Sequence, residues 1–132
     1  MGMYTELILG CSLKRDTPGI AINTLLWMCG KKDKPEALPN HSFFNGEENR
    51  KFIFQSGSFY FGINKGVSEM WLDKIDNAWR ISARGNIKNY NQEIEQFLDW
   101  VKQYVAAGSG NREFYAIVCY EEQDVPTIYY LG

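Results

Sequence analysis

The chain has one histidine, His41, and three cysteines, Cys11, Cys29 and Cys119, with no C-x-x-C pair among them. That scarcity removes the usual routes to a zinc centre, which draw on several imidazoles or on closely spaced thiolates. An odd number of dispersed cysteines is no disulfide framework. Each lies in an apolar stretch, where a thiol serves as a small buried hydrophobe. Charge imbalance is missing too: 14 basic residues against 16 acidic leave a formal net charge of −2. Such a balance does not build a broad, nonspecific surface for polyanions. Apolar runs are short, as at residues 25–29, whereas a bilayer span needs roughly 20 residues. The N-terminus shows no basic segment followed by an apolar stretch and a small-residue cleavage site. The expectation is therefore a cytoplasmic protein with no membrane partner, no metal and no cofactor.

What is present is material for a core. Apolar residues make up 45% of the 132-residue chain and aromatics 15%, enough for one domain without disulfides or metals. Thr5, Leu7, Leu9, Cys11 and Leu13 alternate with Tyr4, Glu6, Ile8, Gly10 and Ser12, a strand with one strongly apolar face. Asp16-Thr17-Pro18 signals a helix start, with a side-chain oxygen to cap free amides and a proline suited to the first turn. Ala21, Ile22, Leu25, Leu26 and Met28 give that helix one apolar face, and Gly30 permits its left-handed end. Residues 31–49 hold Pro35, Pro39 and Asn45-Gly46 and form a long connection, with a short element at Phe43-Phe44.

Strands are expected at residues 51–55, 58–62, 69–75 and 78–85, the last two joined at Asp76-Asn77. On the last of these, Trp79, Ile81 and Ala83 face a core while Arg80, Ser82 and Arg84 face water. A second helix follows, capped by Asn91, with Glu93 and Glu95 in its first turn and Gly108 at its end. Its stripe of Ile94, Phe97, Leu98, Val101, Tyr104 and Val105 is unbroken. Residues 114–120 are apolar on both faces and read as a central strand. Residues 121–125 turn, and residues 126–131 return as its partner. The economical packing is an α+β two-layer sandwich in one domain, residues 1–132. It has a mainly antiparallel sheet with two helices on one face, similar to a decorated split βαβ or ferredoxin-like arrangement.

Candidate sites compete with ordinary structural roles. Arg80, Arg84 and Lys88 point the same way, and arginines so spaced can hold phosphate or carboxylate groups. Tyr60 and Trp71 would complete a base-stacking platform. The competing role is a wet sheet face, its arginines paired with Glu69 and Asp73 across the hairpin. Glu121, Glu122 and Asp124 cluster at a hairpin tip and, with His41, could serve a cation or small ligand; the competing role is a solvated turn, which must be polar anyway. Residues 108–111, Gly-Ser-Gly-Asn, lack the Lys-Ser/Thr of a phosphate loop and follow a helix instead of starting one. Phe43, Phe44, Phe52, Phe54, Phe59, Tyr60, Phe61, Trp71 and Trp79 exceed what the core needs. They either form an exposed patch or are covered by the long loop.

The runs Lys14-Arg15-Asp16-Thr17-Pro18, Leu38-Pro39-Asn40-His41, Asn86-Ile87-Lys88-Asn89-Tyr90, Glu93-Ile94-Glu95-Gln96-Phe97-Leu98-Asp99-Trp100 and Pro126-Thr127-Ile128-Tyr129-Tyr130 carry a resemblance. The chain is similar to a group of small bacterial and prophage proteins without an assigned activity, from Tyr4 to Leu131. The resemblance implies one domain and an accessory role, and it transfers no catalytic residue. The expected function is a noncatalytic interaction protein, acting on itself or a protein partner through aromatic surface or a sheet edge. Nucleic-acid binding through Arg80, Arg84 and Lys88, and a small-ligand or metal-binding protein or enzyme, are the alternatives.

Overall fold

The computed structural model describes residues 4–45, 53–58, 61–107 and 114–131. Five strands form one antiparallel sheet: β1 (Thr5–Ser12), β2 (Glu69–Asp73), β3 (Ala78–Ile87), β4 (Phe114–Tyr120) and β5 (Thr127–Tyr130), in the order β2-β3-β1-β4-β5. Two helices, α1 (Gly19–Met28) and α2 (Glu93–Val101), connect them, and α2 runs on into a 3₁₀ turn at Lys102–Tyr104. The α+β class and the antiparallel sheet are those expected. Because β3 pairs antiparallel with both β1 and β2, α1 links two strands that run parallel with a third between them. The connection through α2, from β3 to β4, likewise skips β1. No helix among the described residues is long and apolar enough to cross a membrane.

Register places the inward residues on one side of the sheet. Leu7 lies opposite Gly85 and Val118, Leu9 opposite Ala83 and Ala116, and Cys11 opposite Ile81. Leu7, Leu9, Ile81, Ala83, Ala116 and Val118 share one buried cluster with the buried faces of both helices. α1 buries Thr24 and Trp27 as well as the expected Ala21, Ile22, Leu25 and Met28, so its contact surface is wider than one stripe. It ends in a Schellman motif. Gly30 has φ 77°, its N–H donates to Trp27 O (2.9 Å), and the Lys31 N–H donates to Leu26 O (2.8 Å), which satisfies carbonyls the helix cannot.

Neither expected N-cap holds. The residue before α1 is Pro18, with no side-chain cap; the Thr17 hydroxyl donates instead to Lys14 O (2.6 Å). At α2 the preceding Gln92 is left-handed (φ 57°), and Asn89 takes the capping role assigned to Asn91. Asn89 Oδ1 accepts the Ile94 N–H (2.9 Å), while its amide donates to both oxygens of Glu95 (2.7 and 2.9 Å). Gly108, the expected helix end, lies outside the described residues, as does the rest of the loop at 108–111.

The strands expected at 51–55 and 58–62 are a further correction. Lys51, Phe52, Phe59 and Tyr60 lie outside the described residues. What is described is a turn at residues 53–56 and an isolated bridge between Ser58 and Ile63. Ile53 and Phe54 pass directly over Gly85, where an added Cβ would lie 1.5 Å from Ile53 O. Beyond the reach of β2, side chains take over the edge of β3. The Arg84 N–H donates to Ser68 Oγ (3.1 Å) and the Asn86 N–H to Ser56 Oγ (2.8 Å). The Ser68 hydroxyl donates in turn to Phe54 O (2.7 Å), and the Gln55 amide donates to Met28 O at the end of α1 (3.0 Å).

Aromatics from the crossing and from the connection before it enter the core. Phe43 and Phe44, in the short 3₁₀ element Ser42–Asn45, are buried. Edge-to-face contacts join Phe43 to Phe97 (5.4 Å), Phe54 to Phe97 (5.1 Å) and Phe44 to Trp100 (4.8 Å), the geometry ring quadrupoles favour. The long connection thus covers part of the aromatic surplus, and Trp100, outside the expected stripe, becomes part of the main core. Gly85→Ala should cost about 3 kcal/mol of unfolding free energy or more, the upper end for overpacking. Gly10→Ala, in open space, should stay within about 0.5 kcal/mol. Urea denaturation of both variants checks this, and equal small effects would contradict the crossing.

Candidate functional site

The face of the sheet turned away from the main core divides into a charged half and an apolar half. On the charged half, Trp71 lies opposite Arg80 on the neighbouring strand and is 46% exposed. Arg80 donates from Nε to Asp73 Oδ2 (2.9 Å) and from its terminal nitrogens to Asp76 and Ser12. The Asp73 carboxylate also accepts the Ile75 and Asp76 N–H groups. Together Arg80 and these amides hold the Asp73 carboxyl below its ordinary range, Arg80 contributing most. Glu69, expected to pair with an arginine across the hairpin, instead binds Lys31 (3.0 Å).

Arg84 faces a buried carboxylate. Glu6 is fully buried beneath the turn that carries Ser58. The Ser58 hydroxyl donates to Glu6 Oε1 (2.6 Å), Arg84 Nε lies 3.8 Å from Glu6 Oε2, and the Arg84 guanidinium stacks on Phe61 at 4.5 Å. A buried acid needs such partners, since desolvating an unpaired carboxylate is prohibitive. Lys88 sits apart, over the Tyr4 ring at 5.8 Å. Tyr60 lies outside the described residues. Arg80 and Arg84 are therefore engaged by separate acids, and neither shares a ligand position with Lys88.

The acidic hairpin and His41 also separate. His41 Nε2 lies 3.0 Å from Asp99 Oδ2, and its Nδ1 accepts the Phe43 N–H (3.1 Å); the imidazole fastens the 3₁₀ element to α2. Glu121 accepts the Tyr4 N–H (2.9 Å), and Glu122 accepts the Tyr120 hydroxyl (3.4 Å). Among the described residues no group of three or more His, Cys, Asp or Glu side chains is arranged to hold a metal ion. Burial pushes the Cys11 and Cys29 thiols up to about 12 and raises that of Cys119, so at neutral pH none is an activated thiolate.

No family model, curated protein or solved structure matches the chain.

Two features lay outside the sequence reading. The first is the apolar half of the same sheet face. Ile8 pairs with Ile117, and Ile117 with Ile128, so three isoleucines form one row across β1, β4 and β5. Ile128 is 43% and nearby Phe114 56% exposed, and the Phe114 ring contacts Tyr130 edge-on at 6.4 Å. The second is a cavity of about 520 Å³ between the start of α2, the ends of β1 and β4, and β5. Thr5, Tyr90, Glu95, Tyr120, Thr127 and Tyr129 are among its lining residues. Thr5 is buried, and its hydroxyl has no hydrogen-bond partner among the described residues.

The Arg80–Asp73 contact has a pH signature. A depressed carboxyl pKa means the pair contributes stability at neutral pH and loses it as the pH falls through that lowered value. Replacing Arg80 with Met should move the Asp73 midpoint upward, toward the ordinary carboxylate range, in a side-chain NMR titration. An unchanged midpoint would show that backbone amides alone hold the carboxylate.

Proposed function

We propose that the protein is a noncatalytic interaction protein whose first partner is a second copy of itself, joined at β5 and over the apolar half of the open sheet face. The observation that carries this reading is the in-register row Ile8, Ile117 and Ile128, which runs outward to the sheet edge. Antiparallel sheets tolerate one solvated face, but that face is ordinarily polar. A row of isoleucines flanked by Phe114 and Tyr130 gains free energy when covered, roughly 25 cal/mol for each Å² of apolar surface removed from water.

The two edges differ in the same sense. β2 carries Glu69 and Asp73, whereas the β5 residues Thr127, Ile128, Tyr129 and Tyr130 include no charge. Charged side chains are the common device for keeping an edge strand from pairing, and an uncharged, apolar edge is a template for another strand. No strand pairs with the outer side of β5 among the described residues. Antiparallel pairing of β5 with its copy would extend the sheet and align the two apolar halves, the self-complementary contact a twofold axis requires. An accessory role in the cytoplasm fits the resemblance to prophage proteins and the dispersed cysteines. Nucleic-acid binding draws less support, because Arg80 and Arg84 are already engaged with carboxylates.

Light scattering coupled to size exclusion should give the mass of a dimer at micromolar concentration. Ile128→Lys should give a monomer that stays folded, with the circular-dichroism spectrum of the wild type. A wild-type monomer at all concentrations, or a dimer indifferent to Ile128→Lys, would refute the proposal.

A further inference from the structure

The cavity beside α2 lies within the volume range of small-molecule sites, and its lining has one electrical sign. Its ionisable lining residues are Glu95, Tyr90, Tyr120 and Tyr129; no lysine or arginine lines it among the described residues. Glu121 and Glu122 flank the Tyr120 phenol and raise it, Glu122 most, and the Tyr129 phenol is raised by burial first and by Glu95 second. The start of α2 also borders the cavity, and helix N-termini favour anions. Here, however, Glu93 and Glu95 already occupy the first turn, and a full carboxylate charge outweighs the roughly half charge of the helix end. Phosphate or carboxylate ligands would thus meet repulsion without a counter-charge.

A cation meets the opposite situation. The Asn89 amide donates to both oxygens of Glu95, and an ionised carboxylate offers about four acceptor positions. Aromatic faces attract ammonium groups through their quadrupole, more strongly when water is excluded. Thr5 lends the lining a buried hydroxyl without a hydrogen-bond partner among the described residues, available to a polar group of the ligand. We propose that this cavity binds a small organic cation, an ammonium group on a compact body, with Glu95 as its counter-ion and Tyr90, Tyr120 and Tyr129 as aromatic walls. This site goes beyond self-association and does not depend on it.

The test is calorimetric and NMR titration of the full chain with choline and with n-butylammonium, against methyl glucoside and inorganic phosphate at constant ionic strength. One of the two ammonium probes should saturate with shifts confined to the cavity residues. Glu95→Gln, which keeps an oxygen for Asn89 while removing the charge, should weaken that binding by roughly tenfold or more. Tyr90 is 70% exposed, so Tyr90→Ala leaves the fold intact; it should weaken binding several-fold, and Tyr90→Phe should restore it. Absence of saturation by both ammonium probes, binding of only the glucoside or phosphate, or equal affinity in Glu95→Gln would overturn the assignment. Repeating the titration on Ile128→Lys, a residue outside the cavity, separates failure of this site from failure of the dimer.

Discussion

The passage of residues 53–58 across Gly85 and around the free edge of β3 is the constraint on which the rest of the molecule depends. Only a residue without a side chain lets the Ile53 carbonyl come so close. On the core side of that crossing, Phe54 reaches Phe97 and Gln55 fastens the end of α1. On the other side, Ser58 reaches Glu6. One short segment therefore ties both helices to the sheet and covers the fully buried Glu6. Backbone groups at 84 and 86 that a neighbouring strand would satisfy are satisfied by Ser68 and Ser56 instead, consistent with the rule that buried amides do not go unpaired.

Local pattern made the periodic elements legible. The alternation in β1, the stripe of α2 and the doubly apolar β4 each reflect burial against a neighbour, and burial leaves a period in the sequence. The same logic misread residues 51–62. Their aromatic and β-branched content suggests strands, but the apolar side chains that are described serve helices and a crossing, and the hydrogen bonds go to serine side chains. Nothing local distinguishes those outcomes. The α2 cap moved from Asn91 to Asn89 because the left-handed Gln92 turns the chain ahead of the helix, a conformation no propensity assigns to glutamine.

The functional surfaces were less legible still, for a topological reason. Ile8 sits among the residues of the polar face of β1 when that strand is read alone. It joins an apolar row only because β4 and β5, more than 100 residues later, bring Ile117 and Ile128 into register. The cavity likewise needs Thr5, Tyr90, Glu95 and Tyr129 from three separate segments. By contrast, the arginines that stood out in sequence turned out to be held by acids that sequence spacing only partly anticipated: Asp73 as expected, Glu6 not. β5 contributes to both surfaces, Ile128 to the open face and Tyr129 to the cavity.

The most direct test of the crossing is native-state hydrogen exchange at the Arg84 and Asn86 amides. They should exchange as slowly as amides in β1, opening only with global unfolding, because Ser68 and Ser56 hold them and the crossing segment covers them. Exchange at the rate of exposed loop amides would mean that residues 53–58 do not close the edge of β3, and the tie between the two faces of the sheet would be lost with it.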